Sequence, residues 1–345
     1  GAAPTDRGHF CIICKSPCGG PCRRLTMPGQ TDGPRMTPQN PMQGILLKCA
    51  SVAVFTVMAA MLKATAETAS VPPGQQVFFR SLFAIPVIVA WLALRGELAV
   101  GFRTVRPMGH FYRGIVGTVA MGLNFWALAL LPFPEVTAIG YASPLLVVIF
   151  AAMFLGEDVR LFRLSMVGLG LTGVLIVLSP QLRLNGPADP YRMLGAVAAF
   201  GGAVMAALAQ LFIRKLVQNE RTSAIVFWFS FTSTVLGLLT LPFGWVMPDA
   251  TTAALLVGSG ILGGVAQILL TSSYRYADAS LVAPFDYVSM LLAIAIGWYV
   301  FAEAPTPVVL AGAALVIGAG IAIIWRERQL GLERSRQRKA MTPQG

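Results

Sequence analysis

The stretches RGIVGTVAM (Arg113–Met121) and SGILGGVAQ (Ser259–Gln267) share Gly, Ile, Gly, Val and Ala without a gap, at an offset of 146 residues. The same register carries Tyr141 onto Tyr287 and Glu157 onto Glu303. Between these anchors Val136, Ser143, Leu145 and Leu146 meet identical residues, Val282, Ser289, Leu291 and Leu292. A fixed period of this kind marks an internal duplication, and it decides the architecture before any motif does.

What is duplicated is apolar. Of 345 residues, 56% are hydrophobic and only 12% charged, with a mean hydropathy of +0.70, whereas a soluble domain is roughly a quarter charged. Runs of the length needed to cross a bilayer, about 20 residues, recur throughout the chain after residue 42. They read as Gly44 to Ala66, Gln76 to Leu94, Phe111 to Leu131, Val136 to Leu155, Leu164 to Leu178, Met193 to Ile213, Ser223 to Phe243, Ala253 to Ser273, Ser280 to Phe301 and Val308 to Trp325. Each copy therefore holds five runs. Because five is odd, the second copy enters the membrane from the opposite side, the inverted arrangement that secondary transporters build around one site near the midplane. The expected fold is an all-α integral membrane protein with ten transmembrane helices, an inverted repeat of two five-helix units over 43–180 and 193–326, joined by a linker at 181–192.

Lys and Arg accumulate on the cytoplasmic side of short loops. With the N-terminus inside, the cytoplasmic segments hold Arg95, Arg103, Arg106 and Arg113, then Arg160 and Arg163, then Arg214, Lys215 and Arg221, then Arg275, and finally the basic tail at 327–345. The opposite loops hold little beyond Lys63, Arg183 and Arg192. Both termini are thus expected in the cytoplasm, and the net charge of +11 is a topology signal rather than a nucleic-acid footprint. The tail would also meet anionic headgroups.

Residues 1–42 differ in kind. Cys11, Cys14, Cys18 and Cys22, with His9 nearby, have spacings that zinc sites use. Yet the segment is rich in Pro and Gly and has no hydrophobic partner, so it is expected to be disordered. Met27, Met36 and Met42 precede the first run, which leaves two readings open, a native segment or an extension that is not native. No metal or cofactor is expected.

The segment from LNFWALALLPFPEVTAIGY through VLIVLSP and its counterpart from SSYRYADASLVAPFDY through AGIAII resemble the two EamA domains of the drug/metabolite transporter superfamily. QQVFFRSLFAIP, ALALLP and above all APFDY resemble a bacterial subgroup that includes S-adenosylmethionine and riboflavin carriers. The resemblance implies a carrier of small organic molecules in the bacterial inner membrane. Two positions depart from it: Pro134 stands where a small residue is expected, and Ala302 stands where such carriers have Gly before the Glu.

Ionisable and strongly polar groups in lipid are expensive and usually face a cavity. Asp286 lies beside Pro284, which removes a helical donor and favours a kink. It would bind a cationic or hydrogen-bonding group, or pair with Arg275 or Arg80 near the cytoplasmic entrance. Arg80 would attract an anionic solute or snorkel to the interface. Asn124, Trp126, Gln210 and Gln267 are uncharged hydrogen-bonding groups for a cavity or for interhelical bonds. Tyr141 and Tyr287 form a symmetric aromatic pair suited to a flat or cationic ligand. Glu157 and Glu303 read as helix caps.

Gly168, Gly170 and Gly173 spell GxGxxG, but inside an apolar run with no preceding strand they signal close helix packing, as do Gly260 and Gly264. Two histidines, no HExxH and no GxSxG argue against a membrane-embedded enzyme. A channel does not need the duplication. The partners expected are a small-molecule substrate and the lipid bilayer, in a monomer or homodimer, with no nucleic acid.

Overall fold

The computed structural model describes residues 41–155, 161–180, 190–217, 220–276 and 283–341. The cysteine-rich segment, Glu157 and the linker lie outside them. The described elements are helical: α1 (Pro41–Ala69), α2 (Pro73–Leu94), a short α3 (Leu98–Gly101), α4 (Pro107–Leu130), α5 (Phe133–Gly140), α6 (Ala142–Leu155), α7 (Leu161–Leu178), α8 (Pro190–Val217), α9 (Thr222–Leu238), α10 (Ala250–Tyr276), α11 (Val288–Phe301) and α12 (Pro307–Met341). Five of these begin at a proline, whose missing N–H is no loss in a first turn and whose fixed φ suits it. Two 3-10 turns, Leu241–Phe243 and Ala283–Tyr287, complete the set.

Among the described residues seven spans are long and apolar enough to cross a membrane, α5 and α6 counting together as Phe133–Phe154; Leu164–Leu178, Thr222–Leu238 and Phe285–Phe301 are shorter apolar helices. Large apolar side chains stand exposed around the outside, among them Leu175, Val197, Phe231, Leu291 and Trp298. A soluble protein would bury such a surface. The chain is a multi-pass membrane protein.

Packing follows the repeat. α1 lies along α10, and α8 lies along α4; the offset of 146 residues carries α4 onto α10. α2 packs on α9 and α7 on α12, each against its own counterpart, and α5 packs on α11, the counterpart of α6. Small residues permit these approaches. A Cβ on Gly173 would meet the Gly312 carbonyl at 2.8 Å, and one on Gly260 would meet Phe83 and the Phe79 carbonyl.

Two runs expected to be continuous are broken. The fourth divides at Tyr141, between α5 and α6, where Pro144 has no N–H to give the Gly140 carbonyl. In the ninth, Pro284 lies in the 3-10 turn Ala283–Tyr287, and the α-helix starts only at Val288. Asp286 therefore belongs to a 3-10 turn rather than lying two turns inside an α-helix. The basic tail continues α12 as far as Met341.

α11 ends on Ala302, which has φ +53°. This is the left-handed region where only glycine is free of Cβ strain, which explains why a glycine is expected there. Ala302→Gly should stabilise the protein by about 1 kcal/mol, read as a rise in melting temperature of the purified protein.

On the α8–α9 connection, Glu220 Oε1 accepts bonds from the Val105 and Arg106 amides, each at 2.7 Å, and from the Thr104 hydroxyl at 2.9 Å. It thereby fixes the start of α4. Burial pushes this carboxyl up, but the amide and hydroxyl donors outweigh it and hold the pKa below the ordinary 4.5. Being depressed in the folded state, it contributes stability that is present above pH 4.5 and lost as pH falls through the folded value. Thermal stability should drop below about pH 4.5, and Glu220→Gln should flatten that part of the profile.

Candidate functional site

The two helix breaks meet. Tyr141, buried at the α5–α6 junction, and Tyr287, the residue preceding α11, contact edge to face with ring centroids 5.2 Å apart and planes at 68°. The offset that relates them in sequence thus brings them together in space. The Tyr141 hydroxyl lies 2.6 Å from Ser289 Oγ, which donates to the Asp286 carbonyl at 2.7 Å. Ser143, the counterpart of Ser289, lies 3.4 Å from Gln210 Nε2. The tyrosines, Ser289 and the Asp286 backbone therefore form one cluster, and Ser143 with Gln210 forms a separate hydrogen-bonded pair, Ser143 lying two residues after Tyr141 in the chain.

The Asp286 carboxylate turns to α1, where Lys48 Nζ lies 2.7 Å from Oδ1. The lysine side chain is 3% exposed and the aspartate 42%, so the acid is the more open partner of the pair. The pairing expected with Arg80 is absent; Lys48 takes that place, and the Arg275 side chain lies outside the described residues.

A second ion pair joins the other end of α1 to the chain beyond α11. Lys63 Nζ lies 3.0 Å from Glu303 and 2.9 Å from Glu67, and donates to the Leu128 and Leu131 carbonyls at 3.2 and 3.0 Å. Glu303 Oε2 also accepts the Phe133 N–H at 2.7 Å. Glu303 is thus a helix cap, but of α5 in the first copy rather than of the helix that follows it. Lys48 and Lys63 are fifteen residues apart on one helix, about 22 Å. α1 is consequently fastened ionically at the two ends of α11.

Arg80 belongs to a different place. Its side chain is buried, 4% exposed, with the guanidinium 5.8 Å from the Phe229 ring centroid; it does not snorkel. Arg113 sits 4.0 Å from the same centroid and is 6% exposed. Arg113 is therefore not a surface charge of the cytoplasmic segment but a buried residue of α4. Asn124 and Trp126 are exposed on α4, and Gln267 is half-buried on α10, next to Ala266, whose carbonyl accepts the Ser51 hydroxyl at 2.9 Å. No hydrogen bond joins these three to the tyrosine cluster among the described residues.

The model of the EamA-like transporter family matches residues 42–179 and again 193–326. This chain belongs to that family. It is one of transporters, not enzymes, within the drug/metabolite superfamily. A riboflavin transporter of Rhizobium johnstonii is 32% identical over 74% of this chain and 82% of its own length. A pseudopaline exporter of Pseudomonas aeruginosa is 29% identical over 81% and 95%, and an S-adenosylmethionine uptake transporter of Rickettsia bellii is 26% identical over 73% and 84%. A solved crystal structure with 23% identity superposes with a TM-score of 0.61, covering 84% of this chain and 99% of its own, and shares the fold.

In this EamA-like chain, sequence reasoning passed over Lys48, Lys63, Glu303 and Arg113. Lys48 and Lys63 carried a signal: each is a charge inside the first apolar run, four residues from one end or three from the other. Arg113 stood only two residues inside the third run and was absorbed by the topology count. Among the described residues no three His, Cys, Asp or Glu side chains gather as a metal site would need.

Proposed function

We propose that this chain is a secondary transporter that moves a small polar or amphipathic organic metabolite across the bacterial inner membrane by alternating access. In this reading ten helices form two inverted five-helix units, 43–180 and 193–326, with both termini cytoplasmic. The observation that carries it is the meeting of Tyr141 and Tyr287, counterparts in the repeat, at a break in each copy. Broken helices expose backbone carbonyls and amides near the midplane, where transporters of this design bind solute.

Asp286 is the polar anchor beside that aromatic pair, with Gln210 completing the contact set. Asn124, Trp126 and Gln267 extend the cavity lining, and Arg80 serves an anionic group. The ion pairs at Lys48 and Lys63 lie where an inner and an outer gate would lie, and each half-cycle requires one of them to part. The relatives' names favour a metabolite cargo, as riboflavin, S-adenosylmethionine and pseudopaline are all small organic molecules.

The test is exchange in liposomes. Purified protein is reconstituted and offered a radiolabelled panel of riboflavin, S-adenosylmethionine and amino acids, with and without a pH gradient. Saturable exchange of one compound is the expected result. Exchange of none, in vesicles shown to contain folded protein, would oppose the cargo class.

A further inference from the structure

The Arg80–Arg113 pair is buried charge without compensation. Arg80 Nε and Arg113 Nε and Nη1 have no hydrogen-bond acceptor, and no carboxylate pairs with either residue among the described residues. The next residue on α2, Ser81, is fully buried and its hydroxyl also lacks a partner. The two guanidiniums share one aromatic ring, Phe229. A cation–π contact contributes about 0.5–2 kcal/mol, whereas taking an ion out of water costs several. An uncompensated pair of this kind is expensive to keep unless something pays for it.

The repeat has also made room for it. Gly117 and Gly263 are counterparts at the offset of 146 residues. A Cβ on Gly117 would overlap Arg113 Nη1, and one on Gly263 would lie 3.0 Å from Arg80 Nε and 3.1 Å from Met58 Sδ. Each copy thus seats one guanidinium against a glycine. The arginines themselves are not symmetric, since their counterparts are Val226 and Ser259. Symmetric pockets holding asymmetric charges indicate a demand beyond packing.

We infer that Arg80 and Arg113 together bind the anionic group, a carboxylate or a phosphate, of the transported solute. This rests on the transporter reading and narrows it to solutes carrying such a group. A guanidinium binds carboxylate and phosphate oxygens through charge-assisted N–H donors, and the donors left without an acceptor here, Arg80 Nε and Arg113 Nε and Nη1, come from both residues.

The test uses full-length protein in detergent, with melting temperature as readout and sodium succinate, inorganic phosphate and uncharged succinamide as probes. Succinate or phosphate should raise the melting temperature by about 2–4 °C and succinamide should not. Arg113→Met, which removes the charge at similar volume, should raise the melting temperature of the ligand-free protein and abolish the anion effect; Arg80→Met should do the same. Equal shifts from succinate and succinamide, or no shift from either anion, would overturn the inference. So would a rise given by phosphatidylglycerol alone, which would assign the site to lipid. Liposome exchange limited to neutral or purely cationic compounds would overturn it too, while leaving the transporter reading intact.

Discussion

Asp286→Asn should lower exchange by about 100-fold or more, equivalent to roughly 2.7 kcal/mol of barrier, with little change in thermal stability. Asparagine keeps the size of the side chain, and the backbone carbonyl of residue 286 still accepts the Ser289 hydroxyl. Only the charge facing Lys48 is lost. Because the aspartate side chain is 42% exposed and an asparagine amide oxygen can still accept from Lys48, which is 3% exposed, the buried ammonium is not orphaned and the loss of folding stability should stay near about 1 kcal/mol. Transport should therefore fail while the protein remains folded. Asp286→Glu, which restores the charge one methylene further out, should recover part of the rate. Equal loss of melting temperature and exchange in Asp286→Asn would mean that the residue is structural.

Lys63→Ala should act in the opposite way, on stability first. The lysine is 2% exposed and holds Glu303 together with the carbonyls of Leu128 and Leu131. Glu303 is only 20% exposed and also caps α5. Removing the cation leaves a half-buried carboxylate without its partner, and breaking such a pair destabilises by roughly 3–5 kcal/mol. Glu67, 42% exposed, is solvated and adds little to this. Lys63→Met combined with Glu303→Gln should be less damaging than Lys63→Ala alone, since no charge is then orphaned. Thermal unfolding of the single and double variants measures the coupling directly.

The contrast between the two ion pairs shows how much of the site was legible in the sequence. The duplication, the apolar runs and the family resemblance are one-dimensional patterns, and the transporter fold follows from them. Tyr141 and Tyr287 were found as counterparts because the register of 146 residues is a property of the chain itself. Which counterparts touch is a matter of three dimensions. Asp286 was legible as a costly charge, but its partner on α1 lies 238 positions away in the chain, and no local spacing points to Lys48.

Charge counting also misled in one place. Arg113 sits two residues inside a predicted run, a depth at which an arginine either snorkels out or turns in. The deciding fact is that Gly117 stands one turn ahead and leaves space for the guanidinium. Helix breaks at Tyr141 and before Val288 were similarly half visible: Pro144 and Pro284 marked the places, but hydropathy alone reads through a proline. Ala302 shows the reverse case, where a departure from the family pattern was seen in sequence and its meaning, a left-handed residue closing α11, came from the backbone.

Countertransport is the most direct test of the central claim that this chain carries solute by alternating access. Proteoliposomes are preloaded with an excess of the unlabelled solute identified by exchange, and entry of the labelled form is followed at increasing outside concentration. Alternating access predicts influx that saturates, that preloading accelerates several-fold into a transient overshoot, and that Asp286→Asn abolishes. Influx that rises linearly with concentration and is indifferent to preloading would contradict it and indicate a pore.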